Sequence, residues 1–245
     1  TENASVVFHQ EDVDLSDPWK QKFCQQTCKF LLDNDVGSWE TYVKLLSKDR
    51  DQISKNISPT LDALDFIVIG VQKGGTSSMN GYLNQHPDVY VYPREIHFFD
   101  KNYRKGIPWY EKHFQSNKRI KGEKTTVYCY FKKSIDRIHL HYPNVKLIML
   151  LREPIQRAFS QWNMEQQRTS SPLKNVPFKK VIQNNLANEN LVQRHKDILQ
   201  RGYYDDQIEY ILSKFDKKNL YIGISEEIKA NKDVEYAKIF NFLGV

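Results

Sequence analysis

The chain is poor in cysteine: Cys24, Cys28 and Cys129 are its only three in 245 residues. An odd count gives no disulfide framework. Cys24 and Cys28 fall one turn apart on a helix, a packing arrangement, and no further paired ligands flank them for zinc. Long apolar runs are also missing. None approaches the ~20 residues of a membrane span, so none is expected. The N-terminus lacks a charged start followed by an apolar signal core. These absences lean towards a cytoplasmic setting, with the Golgi lumen open if an anchor has been removed. No Lys/Arg block or nucleic-acid motif is present, so no nucleic-acid partner is expected. The net charge of +6, from 36 basic and 30 acidic residues, describes a mildly basic surface. It also suits an anionic nucleotide and an acidic acceptor. Asn3-Ala4-Ser5 and Asn56-Ile57-Ser58 match glycosylation sequons, which decide nothing without a secretory signal.

What is present divides at about residue 64. Residues 1–64 read as an N-terminal helical extension or linker. Asp17 and Pro18 can start a helix to about Leu32; a second covers Trp39 to Leu46, and a polar connector follows. From Asp65 to Val245 strand and helix patterns alternate. The strand-like runs are Phe66–Val71, Val89–Tyr92, Val145–Leu151 and Leu220–Ile224. Helix-like stretches cover Thr76–Gln85, Ser134–His141, Pro154–Gln166, Phe178–Asn188 and Asp205–Phe215. The polar stretches Arg168–Pro177 and Asn188–Gln200 are expected as loops or short helices. This alternation predicts an α/β fold: a P-loop-like parallel β-sheet flanked by helices, carrying the N-terminal extension. Ligands of such sheets bind beyond the carboxyl ends of the strands.

The strand Phe66–Val71 runs into Lys73-Gly74-Gly75-Thr76-Ser77-Ser78 and then a helix. Strand, glycine-hydroxyl turn and helix start together make a phosphate cradle. A triphosphate loop places lysine just before its hydroxyl residue. Aligned from Gly70, Thr76 stands at that position, and the lysine comes three residues after Gly70. The later strand ends in Arg152, where triphosphatases put a magnesium-holding Asp. Two anion sites without a metal carboxylate suit a nucleotide with two separate phosphate groups, and no metal is expected.

Val71-Gln72-Lys73-Gly74-Gly75-Thr76-Ser77-Ser78 resembles the 5′-phosphosulfate loop of the sulfotransferases that use PAPS (3′-phosphoadenosine-5′-phosphosulfate). Leu151-Arg152-Glu153-Pro154, with Arg157 and Ser160 downstream, is similar to their 3′-phosphate motif. Arg94 to Asp100 resembles their catalytic segment. Asn102 to Tyr110, Gly122-Glu123-Lys124-Thr125-Thr126-Val127-Tyr128, Gly202-Tyr203-Tyr204 and Phe242-Leu243-Gly244 continue the likeness in order. The likeness covers about Asp65 to Val245 and is strongest to the heparan sulfate branch, both 3-O- and N-sulfotransferases. The family usually continues past the last of these motifs with a further loop over the nucleotide. The cysteine pair that closes a loop in the heparan sulfate enzymes is missing here.

The resemblance implies PAPS as donor and PAP as product. It implies that Lys73 meets the leaving oxygen, a role its charge suits. Gly74, Gly75, Thr76, Ser77 and Ser78 would hold the 5′-phosphosulfate through N–H and hydroxyl donors. Arg152 and Ser160 would hold the 3′-phosphate, with arginine supplying a fork of donors. Arg157 is either a further contact or a helix-face charge. Tyr203 would line the nucleotide site. Glu95 would take the acceptor's proton, unless it is a strand-end carboxylate paired with Arg94. His97, two residues on, would face the same side of an extended chain and orient the acceptor or act as the base. Lys124 would lie near the donor sulfate, or be a solvated lysine. Asp100 carries a weaker signal. Trp109, Tyr110, His139 and His141 read as structural.

The activity implied is transfer of a sulfuryl group to an acceptor hydroxyl or amine. The acceptor is a glycan, or else a small molecule or carrier-bound hydroxyacyl group. A P-loop nucleotide kinase and a non-catalytic PAP-binding module are the rivals. The displaced lysine and Arg152 argue against the kinase. An intact Glu95, His97 and Lys124 argue against mere binding.

Overall fold

The structure, a computed structural model, describes residues 64–187 and 197–245. The helices expected over 17–32 and 39–46 lie outside the described residues, as does the extension or linker they belong to. Five strands form one parallel sheet: β1 (Phe66–Gly70), β2 (Val89–Val91), β3 (Ile120–Lys124), β4 (Lys146–Leu151) and β5 (Leu220–Ile224). Their order is β2-β3-β1-β4-β5, and every neighbouring pair is parallel. The helices are α1 (Thr76–Leu83), α2 (Ile107–Glu111), α3 (Lys132–His141), α4 (Pro154–Gln167), α5 (Phe178–Ala187), α6 (Tyr204–Leu212), α7 (Ser225–Ala230) and α8 (Lys232–Leu243). The expected parallel sheet with flanking helices is what the chain forms.

The central strands are short apolar runs because both faces of the sheet are covered. Every residue of β1, β4 and β5 is buried. In α1 the buried residues are Thr76, Met79, Asn80 and Leu83, the spacing of one helical face. That face joins Phe66, Val68, Ile148, Leu150, Ile239 and Phe242 in the main core.

The strand β3 was not expected. Its sequence, Ile120-Lys121-Gly122-Glu123-Lys124, has no apolar run. Pairing with β1 on one side and β2 on the other makes it a strand. Gly122 is required there: a Cβ would stand 2.4 Å from the Phe66 ring.

The described residues divide into two compact units. Residues 64–153 and 206–245 contain the whole sheet. Residues 154–187 and 197–205 contain α4, α5 and a 3-10 turn at Gln200–Gly202. The second unit has its own core, including Ile155, Ala158, Val181, Ile182, Ile198 and Leu199.

Candidate active site

The glycine loop leaves β1 and enters α1 with two backbone requirements that explain its composition. Gly75 is the N-cap of α1 at φ 88°, a left-handed conformation that glycine adopts without a Cβ clash. Gly74 lies so close to β4 that a Cβ would come within 2.4 Å of the Leu150 carbonyl oxygen. Lys73 also has positive φ, at 73°, an uncommon state for a side-chain-bearing residue. Thr76 is buried, whereas Ser77 and Ser78 are exposed. A glycine N-cap offers no side chain to the helix start, and α1 has no side-chain cap.

The ends of β4 and β5 close on this loop. Arg152 directly follows β4 and donates from Nη1 to the Lys73 carbonyl at 3.3 Å. The strands that Lys73 and Arg152 follow, β1 and β4, are neighbours in the sheet. Ser225, just after β5, donates its hydroxyl to the Gly74 carbonyl. Glu226 accepts the Glu153 N–H at 3.1 Å. Ser225 and Glu226 had not been singled out. They lie just past the end of β5, where ligands of parallel sheets bind.

A second group lies at the end of β3, whose Lys124 opposes Val68 of β1. Glu95 is its centre. The Glu95 carboxylate meets Lys124 Nζ at 3.5 Å, His97 Nε2 at 3.3 Å and the Thr126 hydroxyl at 3.0 Å. It is 27% exposed and His97 24%, so the pair is reachable from solvent. On its other side, His97 Nδ1 meets the Asp100 carboxylate at 3.0 Å. Asp100, the weaker candidate, is therefore in direct contact with a stronger one.

The expected route for His97 to face Glu95 was an extended backbone. The structure corrects this: His97 has φ 53° and ψ 36°, left-handed, at the start of a π-helical turn over Phe98–Asn102. The two side chains meet because the chain turns. Glu95 takes Lys124, His97 and Thr126 as partners, so its carboxylate is part of this cluster. Lys124 is 10% exposed at its side chain, buried in an ion pair rather than solvated.

Ser160 and Tyr203 belong to the second unit. Ser160 is half-buried on α4, and Tyr203 is half-buried just after the 3-10 turn, against the second core. Arg157 is neither a helix-face charge nor an open contact. It is fully buried and donates to Gln161 Oε1 at 2.8 Å and to the Ile198 carbonyl. His141 pairs with the Tyr103 hydroxyl at 2.6 Å, and His139 packs edge-on against Phe215. Tyr110 is buried with its hydroxyl on Glu123. Among the described residues, Cys129 is buried with its Sγ 4.0 Å from the Thr126 carbonyl oxygen.

A parallel sheet flanked by helices, with a glycine loop after β1 and an arginine after β4, defines an α/β domain. A model of the sulfotransferase domain family matches residues 63–245, and the chain belongs to that family. Human heparan sulfate glucosamine 3-O-sulfotransferase 3B1 is 29% identical over 181 residues, covering 73% of this chain and 45% of that one. The membrane-associated sulfotransferase kil1 of Dictyostelium discoideum is 32% identical over 158 residues, covering 60% of this chain and 34% of its own length. The chain thus spans less than half the length of these relatives. A sulfotransferase from Alicyclobacillus acidocaldarius has the same fold, with a TM-score of 0.66 at 24% identity over 76% of this chain and 82% of that one. The sulfotransferase domain from the curacin biosynthetic pathway shares the fold more distantly, with a TM-score of 0.53 at 12% identity over 76% and 75% of the two chains. This chain carries a sulfotransferase domain.

Proposed function

We propose that this domain transfers the sulfuryl group of PAPS to a hydroxyl or amine of a glycan by in-line attack, with Glu95 as the base. The observation that carries this reading is the Glu95 cluster, held on the same sheet edge as the Lys73 loop and Arg152. The acceptor heteroatom attacks sulfur and loses its proton to Glu95. The bond from sulfur to the 5′-phosphate oxygen breaks, and PAP leaves with the electron pair. Lys73 meets the charge on that oxygen. The loop from Gly74 to Ser78 holds the 5′-phosphate, and Arg152 holds the 3′-phosphate. Lys124 meets the sulfate while pairing with Glu95. The roles of Ser160 and Tyr203 on the nucleotide rest on the family resemblance.

Hydrogen bonding favours Glu95 over His97 as the base. A carboxylate stands at each ring nitrogen of His97. The ring donates to both only when it carries both protons, and then it has no lone pair to accept another. Held between the two carboxylates, His97 orients Glu95, whose carboxylate takes the acceptor's proton.

The glycan acceptor is favoured by relatives named for heparan sulfate glucosamine. A labelled-PAPS transfer screen tests it against small alcohols and carrier-bound hydroxyacyl groups. Label on heparan sulfate supports the proposal. Label only on a carrier-bound hydroxyacyl group replaces the acceptor, and no transfer to any acceptor removes the catalytic reading.

A further inference from the structure

We propose that Glu123 is a positioning residue for this reaction, holding the backbone at His97–Phe99 through two hydroxyl groups so that His97 meets Glu95. The inference rests on the catalytic reading above, but its mechanical part can be tested without turnover. Glu123 is a completely buried carboxylate in the middle of the domain. It accepts the Tyr110 hydroxyl at 2.8 Å and the Thr125 hydroxyl at 2.7 Å. The Tyr128 hydroxyl lies close enough to Glu123 for each to shift the other's titration.

The hydroxyl groups then carry the effect outward. Thr125 Oγ1 accepts the His97 N–H at 3.3 Å. The Tyr128 hydroxyl accepts the N–H of Phe98 at 2.8 Å and of Phe99 at 3.3 Å. Thr125 donates its one hydrogen to Glu123 Oε2. That leaves the threonine oxygen's lone pairs free for His97. The carboxylate thus sets the direction of the whole chain of bonds. The carbonyl side of the same segment is held separately, by Asn102 on Ile96 and Arg137 on Phe99. The amide side depends on the hydroxyls around Glu123. Strand β3 also places Lys124, the neighbour of Glu123, on Glu95.

Burial pushes the Glu123 carboxyl up to about 7, against the opposing effect of its hydroxyl donors and of His97. The titratable groups facing it are Tyr110, Tyr128, Tyr142 and His97.

The test uses Glu123→Met, which keeps the length and removes both acceptor oxygens, beside Glu123→Gln, which keeps one. In Glu123→Met, amide hydrogen exchange in peptides spanning His97–Phe99 should quicken by roughly tenfold while the glycine loop is unchanged. Turnover should fall by roughly tenfold to a hundredfold, the scale of a small misplacement of reacting groups, while PAP affinity holds within about threefold. Glu123→Gln, with its oxygen on Thr125, should recover most of that loss. Unchanged exchange, turnover near wild type, or PAP affinity falling in step with turnover would each overturn the proposal. Equal loss in both variants would overturn it too, because charge and not the acceptor oxygen would then matter. Should Glu123→Met fail to fold, Thr125→Val carries the same exchange and turnover test. A wild-type chain that transfers no sulfuryl group counts against the catalytic reading alone, and the exchange result still decides the Glu123 link.

Discussion

Arg152 Nη1 lies 3.3 Å from the Lys73 carbonyl oxygen, so the basic end of β4 is tied to the backbone of the anion loop that follows β1. Arg152→Ala should therefore act mainly on donor binding. A charge-assisted contact to the 3′-phosphate exists before and during the reaction, so it contributes uniform binding. The Michaelis constant for PAPS should rise more than turnover falls. An unchanged constant for PAPS would remove Arg152 from the nucleotide site.

PAP should stabilise the protein without magnesium. Lys73 and Arg152 supply the positive charge at two neighbouring strand ends. At a hundred times its dissociation constant a ligand adds about 2.7 kcal/mol. For a chain of this size that is a rise of roughly 5–10 °C in melting temperature. A strong rise with Mg-ATP and none with PAP in a thermal melt would contradict the nucleotide assignment.

The sheet and its anion loop were legible because their signals are local. Apolar runs such as Lys146–Leu151 follow from burial on both faces, and the Gly74-Gly75 pair follows from close backbone approach and positive φ. What was not legible depended on pairing. The polar β3 is a strand only because β1 and β2 flank it. Its Glu123 sits in a matched motif, yet nothing local says that the carboxylate is buried. The left-handed turn at His97 was hidden for the same reason: its N–H is held by Thr125, 28 residues away. Helix α8 had a readable signal that went unread. Tyr236, Ile239, Phe242 and Leu243 recur at helical spacing and are buried.

Gly74→Ala should impair the loop more than Gly81→Ala impairs α1. The Cβ at Gly74 would meet the Leu150 carbonyl oxygen at 2.4 Å, whereas at Gly81 it would meet nothing within 4 Å. Backbone must shift to admit the first methyl, at a cost of roughly 1–3 kcal/mol. The second replaces glycine inside a helix, where alanine is favoured by roughly 1 kcal/mol. Denaturant unfolding of the two variants should therefore move in opposite directions, and PAP affinity should drop only in the first. Equal stability of both would show that the loop yields without strain.

Glu95→Gln should abolish most turnover and leave PAP affinity nearly intact. Glutamine keeps the shape and can still meet Lys124 and Thr126 through its oxygen, but it cannot take the proton. Loss of a general base costs roughly 10²–10⁴ in rate. His97→Ala separates the two candidates. If His97 orients Glu95, its loss should be the smaller, with single-turnover rates still above those of Glu95→Gln. An active Glu95→Gln beside a dead His97→Ala with normal PAP binding would reverse the roles.

Glu123 should make the protein less stable as pH rises from about 4.5 to about 7. Its ordinary value is 4.5 and burial raises it to about 7 in the folded chain. Within that window the folded state keeps a proton that the unfolded state has released. Stability falls with pH wherever the folded state binds more protons. The favourable state is therefore complete below about 4.5 and is lost as pH climbs through about 7. At about 1.4 kcal/mol per pH unit the loss is on the order of 3 kcal/mol. Glu123→Gln does not titrate, so its stability curve should be flatter across the same window by that amount, whatever its absolute stability. Urea unfolding at pH 5, 6, 7 and 8 measures both curves. Parallel curves for the two proteins would mean that Glu123 ionises in the folded state at its ordinary value, and that burial leaves its charge compensated by the hydroxyls of Tyr110 and Thr125.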